Sequence, residues 1–198
     1  MELTKRQEDI VQAAIGIIAR RGFQALTTKN IAQSLGLTEA ALYRHFDSKK
    51  ELINQLLVYF EGLSCRILEE ISSSNLNPME SVRRFVMNRY RMFTADPDLA
   101  RVMFSEEPFS HDPSFSSQMQ RISGRHREAV VCYLQEGQRL GLIDPNLEPC
   151  QLFRIIVGSM RYTVNQWNMG GQSFDLVAEG EKLFQTIKIL IQIKNQGD

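Results

Sequence analysis

Cysteine is scarce: three in 198 residues, Cys65, Cys132 and Cys150. They lie far apart and form no CxxC pair, which argues against a disulfide framework and a cysteine-based zinc site. Each reads as a small buried hydrophobe. No run of about 18 consecutive apolar residues occurs, so no segment reads as a membrane-spanning helix. The opening MELTKRQEDIVQAA has no apolar leader core, and the expected location is cytoplasmic. Alternating strand patterns and glycine-rich phosphate loops are also missing. His111 and Asp112 sit near Glu106 and Glu107 without metal-ligand spacing. His126 and Cys132 are six residues apart, which puts them about 120° apart on one helix and off a common face. No catalytic residue, metal or cofactor is expected, and these absences argue against an enzyme.

What is present is a hydrophobic fraction of 43%, enough for a packed core. Lys and Arg number 23, balanced by 23 Asp and Glu. The balance is uneven, because residues 1–50 hold 8 basic against 5 acidic residues, a net of +3. A positive end on a neutral chain points to a local anionic partner.

Almost every segment carries the 3.6-residue period. The spacing predicts nine helices, at 5–21, 28–34, 38–45, 49–72, 78–94, 97–104, 114–140, 149–168 and 174–194. SSSNLNP, residues 72–78, is the first clear breaker cluster. SEEPFSHDPSF, residues 105–115, reads as an exposed loop. Two domains are expected, 1–48 and 49–198, with helix 49–72 connecting them.

The most informative stretch is LTTKNIAQSLGLTEAALYRHF. Thr27 suits a helix N-cap, Ile31, Ala32 and Leu35 face inward, Gly36 permits the turn and Thr38 caps the next helix. This is the helix, glycine turn, helix pattern. On the second of these helices Leu42 and Phe46 point inward together. Ala40 and Arg44 lie nearly opposite Leu42, with Ala41 and Tyr43 on the flanks. A helix that enters a major groove needs such small side chains for close approach. Tyr43, His45 and Lys49 then fall where a phosphate backbone would pass. Ser48 and Glu51 read as a capping box. Lys49 and Lys50 nonetheless occupy the first turn, where the helix dipole disfavours cations unless an anion offsets them.

ARRGFQALTTKNIAQSLGLTEAALYRHFDSKKEL resembles the DNA-binding domain of the TetR family of transcription regulators. Gly22-Phe23, Thr27-Thr28, Ile31-Ala32, Gly36, Leu42-Tyr43, His45-Phe46 and Lys49 carry the likeness over residues 4–52. It implies an all-α fold with an N-terminal three-helix helix-turn-helix domain and a larger helical effector-binding and dimerisation domain. It puts base-reading positions on Lys29, Glu39, Ala40, Ala41 and Arg44, and phosphate contacts on Thr28, Tyr43, His45 and Lys49. It also implies a homodimeric repressor on palindromic double-stranded operator DNA, released by a small molecule.

Helices 149–168 and 174–194 are strongly amphipathic, through Leu152, Phe153, Ile156, Val157, Met160 and Val164 and through Val177, Gly180, Leu183, Phe184, Ile187, Leu190 and Ile191. They are the expected dimer interface. Candidate pocket residues are Tyr90, Phe93, Met103, Phe104, His126, Tyr162, Asn165, Gln166 and Trp167, a mixture that suits an apolar or amphipathic effector. A DNA-binding scaffold without a ligand switch, acting in chromosome organisation, and an activator remain open alternatives.

Overall fold

Every regular element of the computed structural model is helical among the residues it describes, 3–105, 109 and 112–193. Among the described residues nine α-helices are α1 (Lys5–Arg21), α2 (Thr28–Ser34), α3 (Glu39–Leu42), α4 (Lys49–Ser72), α5 (Pro78–Ala95), α6 (Pro97–Met103), α7 (Pro113–Arg139), α8 (Pro149–Met169) and α9 (Leu176–Ile191). The all-α expectation holds, and most helix limits agree within two residues. The last helix, expected to end at 194, stops at Ile191, and the larger exception is the third helix, expected over 38–45. It closes at Leu42, and Tyr43, Arg44 and His45 continue as turns. The tightening is visible in the His45 N–H, which donates to Leu42 O at 2.9 Å, an i to i−3 bond.

The chain forms two compact units. The first contains residues up to Ser64 together with 97–122, and the second contains 65–96 and 123–198. The expected boundary at residue 48 differs from this grouping: residues 49–64 of α4 stay with the first unit, where Tyr59 meets Gln12, and 97–122 join it, where α6 packs on α1. Thr4 starts α1 with a capping box, accepting from Gln7 N while the Gln7 side chain accepts from Thr4 N. Ile10, Val11, Ala14, Ile15, Ile17 and Ile18 then form its buried face. Arg20 reaches Asp98 at 3.5 Å, and the Gln12 amide donates to the Tyr59 hydroxyl at 2.8 Å. Phe60 meets Phe109 edge to face, with ring centres 6.2 Å apart. The exposed-loop reading of 105–115 needs correcting, since Phe109 and Phe115 are 3% and 5% exposed. Polar neighbours hid two aromatic anchors there. His111, Glu106 and Glu107 lie outside the described residues.

In the second unit α5, α8 and α9 pack on one another. Asn77 caps α5, with Pro78 at its first position. Glu148 and Asp175 cap α8 and α9 by accepting from backbone N–H groups. Arg83 grips both Glu181 oxygens, at 2.9 and 2.7 Å, and Glu80 at 2.9 Å. The Trp167 indole N–H donates to Phe174 O at 3.0 Å. Leu152, Ile156, Met160, Val164, Gly180, Phe184, Ile187 and Ile191 are buried within this unit. That share of the expected interface stripe is therefore the unit's own core. Ile155, Tyr162, Met169, Ile189 and Leu190 remain 54–81% exposed on α8 and α9.

Gly180 is where α9 meets the fully buried Tyr90 ring, and a Cβ there would overlap the ring. Gly180→Ala is expected to destabilise the chain by about 1–3 kcal/mol through overpacking, read as a lower chemical-denaturation midpoint. An unchanged midpoint would contradict this packing.

Candidate nucleic-acid interface

The helix-turn-helix is built around a small apolar cluster. Leu26, Ile31, Ala32, Leu42 and Phe46 are 1–4% exposed. Thr27 caps α2 by accepting from Asn30 N at 3.2 Å, and the Asn30 side chain donates to Ala25 O at 2.7 Å. Gly36 takes φ +64°, the left-handed conformation the tight turn requires. Leu37 N–H then donates back to Ala32 O at 2.8 Å. Thr38 caps α3, accepting from Ala41 N at 3.1 Å. With Leu42 and Phe46 turned inward, Ala40 is left exposed and Ala41 half-buried.

Around these alanines lie the other residues singled out from the sequence. Lys29, Glu39, Tyr43, Arg44 and Lys49 are exposed, while Thr28 and His45 are half-buried. All nine belong to the first unit. Lys29, Arg44 and Lys49 have no carboxylate partner among the described residues. Glu39 is held in place, because the Thr28 hydroxyl donates to its Oε2 at 2.6 Å.

The two lysines at the start of α4 differ. Lys50 Nζ meets Asp112 Oδ2 at 2.8 Å and lies 5.8 Å from the Phe115 ring centre. The lysine ammonium, aided by Ser114, holds the Asp112 carboxyl down at about 2. Lys49 lies over the Phe23 ring, 4.6 Å from its centre. Ser48 accepts from Glu51 N at 3.1 Å, and Glu51 accepts from Asp47 N at 2.7 Å, one residue before the expected cap.

The candidate pocket residues are scattered. Tyr90, Phe93 and Trp167 are buried in the core of the second unit and His126 is half-buried there. Burial pushes the Tyr90 hydroxyl up to about 12. Met103 and Phe104 are half-buried in the first unit. Tyr162, Asn165 and Gln166 are exposed on α8, and Tyr162 and Gln166 line an open groove of about 730 Å³ with Thr163, Phe174, Glu179 and Leu183. Sequence reading passed over Arg89, which is 2% exposed. Its signal was its place in the apolar stripe Val82, Phe85, Val86, Tyr90, Phe93. Among the described residues no group of three or more acidic, histidine or cysteine side chains is placed to hold a metal, and no helix is long and apolar enough to cross a membrane.

A helix-turn-helix with a bare second helix, flanked by cations that no carboxylate meets among the described residues, defines a DNA-binding regulator. Residues 10–56 match the family described as bacterial regulatory proteins, tetR family, and residues 61–191 match the YsiA-like protein C-terminal region. The HTH-type transcriptional repressor KstR2 of Mycobacterium tuberculosis (strain H37Rv) is 25% identical over 173 residues, covering 86% of this chain and 85% of that protein. The solved structure of KstR2, described as a ketosteroid transcriptional regulator, overlays with a TM-score of 0.82 at 22% identity, covering 98% of each chain. FadR from Bacillus subtilis, solved with stearoyl-CoA, has a TM-score of 0.76 at 21% identity, covering 91% of this chain and 96% of that one. The nucleoid occlusion factor SlmA of Photobacterium profundum is 29% identical over 171 residues, covering 79% of this chain and 83% of that protein. The chain belongs to the TetR family. It is a DNA-binding transcriptional regulator and not an enzyme.

The left-handed turn is the feature on which α3 depends. Gly36→Ala is expected to cost about 1 kcal/mol or somewhat more and to weaken DNA binding in a mobility-shift titration. Equal stability and equal binding would contradict the turn geometry.

Proposed function

We propose that the chain is a homodimeric repressor that a small amphipathic molecule releases from a palindromic operator. The observation that carries the DNA half of this reading is the bare Ala40 and Ala41 surface beside Lys29, Arg44 and Lys49, three cations without a carboxylate partner among the described residues. Ala40 and Ala41 let α3 approach the bases. Arg44, Lys29 and Glu39 reach base edges, and Tyr43, His45, Lys49 and Thr28 meet phosphates. Lys49 at the start of α4 adds its charge to the free N–H groups there.

The exposed Ile155, Tyr162, Met169, Ile189 and Leu190 support a two-fold interface through α8 and α9. A dimer is also what two half-sites about 34 Å apart require. Two relatives support an amphipathic effector: one is named for ketosteroids and the other was solved with stearoyl-CoA. An effector that favours the DNA-incompetent dimer ~100-fold contributes ~2.7 kcal/mol toward release. The chain then works in the cytoplasm, beside its DNA. The likeness to a nucleoid occlusion factor favours a second reading, a DNA-bound scaffold without a switch.

Paired substitutions test the contacts. Lys49→Ala is expected to weaken binding to all duplexes alike and to lower the salt slope by roughly 1.8 for two contacts per dimer. Arg44→Ala is expected to lose about 1–3 kcal/mol of discrimination at one base pair per half-site. Both are read by equilibrium binding across a salt series. Wild-type behaviour in both variants would refute the assignment.

A further inference from the structure

The arginines of α5 are treated very differently. Arg83 is clamped by Glu181 and Glu80, and Arg84 pairs with Glu70. Arg89 is the most deeply buried, at 2% exposed, yet no carboxylate reaches it among the described residues. Its Nη2 lies 3.2 Å from His126 Nε2 and its Nη1 3.9 Å from Met92 Sδ. Its guanidinium carbon sits 5.2 Å from the centre of the Phe85 ring, which also meets the His126 ring at 5.3 Å. A guanidinium carries five N–H donors, and these neighbours offer it no charge.

Burial pulls Arg89 down to about 10, so it stays cationic at neutral pH. Burial and the adjacent guanidinium press His126 down to about 3. The imidazole is therefore neutral, and Nε2 accepts from Arg89. Among the described residues the seat holds one positive charge and nothing negative. Enclosing an unpaired charge is costly. A purely structural cation at this position would be expected to have an acidic partner, as Arg83 does.

We propose that Arg89 and His126 form the seat for a carboxylate on the effector. This rests on the ligand-switched reading above and names the ligand's class: a free monocarboxylic acid with an apolar body. The planar guanidinium fork matches a carboxylate. A single negative charge neutralises the seat. A doubly charged phosphate would leave a net negative charge beside a neutral imidazole. The neighbours Phe85 and Met92 are apolar, which suits a hydrocarbon body, and the half-buried His126 gives the side of approach.

The test measures thermal unfolding and operator release with saturated fatty acids from C8 to C18, each against its alcohol and its CoA thioester. In the full-length wild type, at least one acid raises the unfolding temperature and releases DNA, at tenfold or more lower concentration than its alcohol. Arg89→Gln loses that tenfold preference. Arg89→Met, without ligand, unfolds at the same or a higher temperature than wild type, because it removes an unpaired buried charge. Three results overturn the proposal: no acid binds, alcohol or thioester matches the acid, or Arg89→Gln keeps the preference. A marked drop in the ligand-free stability of Arg89→Met would also overturn it, by showing that the cation serves the fold. If alcohols or thioesters release DNA from both wild type and Arg89→Gln, the proposal fails while the switched-repressor reading survives. If no probe releases DNA, both fail.

Discussion

One small apolar cluster governs the DNA-facing end of this protein. Leu42 and Phe46 turn into it with Leu26, Ile31 and Ala32. Each large side chain contributes roughly 1.5–3 kcal/mol by leaving water. That is enough to hold α3, a helix of only four residues, which has no stability of its own. Because the inward face is fixed, the outward face follows. Ala40 must face out, and the turns after Leu42 present Tyr43 and Arg44. The bare outer surface of α3 comes from what the opposite face must bury.

Electrostatics reinforces this geometry. Two lysines open α4, where backbone N–H groups already carry partial positive charge. Lys50 is answered by Asp112 from the same unit. Among the described residues Lys49 meets an aromatic face and no carboxylate. One of the two lysines is thus neutralised, while its neighbour, like Lys29 and Arg44, has no carboxylate partner among the described residues. Thr28 and Glu39 add a restraint of another kind, since their hydrogen bond orients an acceptor among the donors.

Much of this was legible in the sequence. Helix periodicity, the caps at Thr27 and Thr38 and the glycine turn follow from local rules, and the structure has them where those rules put them. Limits failed where tertiary context intervened. The third helix was read too long because Leu42 and Phe46 also satisfy a 3.6-residue period, and periodicity cannot distinguish a helix from the tighter turns that replaced it. Phe109 and Phe115 were hidden among acidic and hydroxyl residues, since composition reports a segment's average and not its anchors. The stripes on α8 and α9 were visible, but a stripe does not say whether its own chain or another covers it. Arg89 was legible only as a polar intruder in an apolar row, and only the packing shows that no carboxylate among the described residues reaches it.

On the proposed reading the α2–turn–α3 surface lies in the major groove. Methylation protection of guanine N7 on bound operator measures this directly, because N7 faces that groove. Protected guanines are expected in two major-groove segments about one helical turn apart, on one side of the duplex. Bound DNA with every N7 still reactive would contradict it.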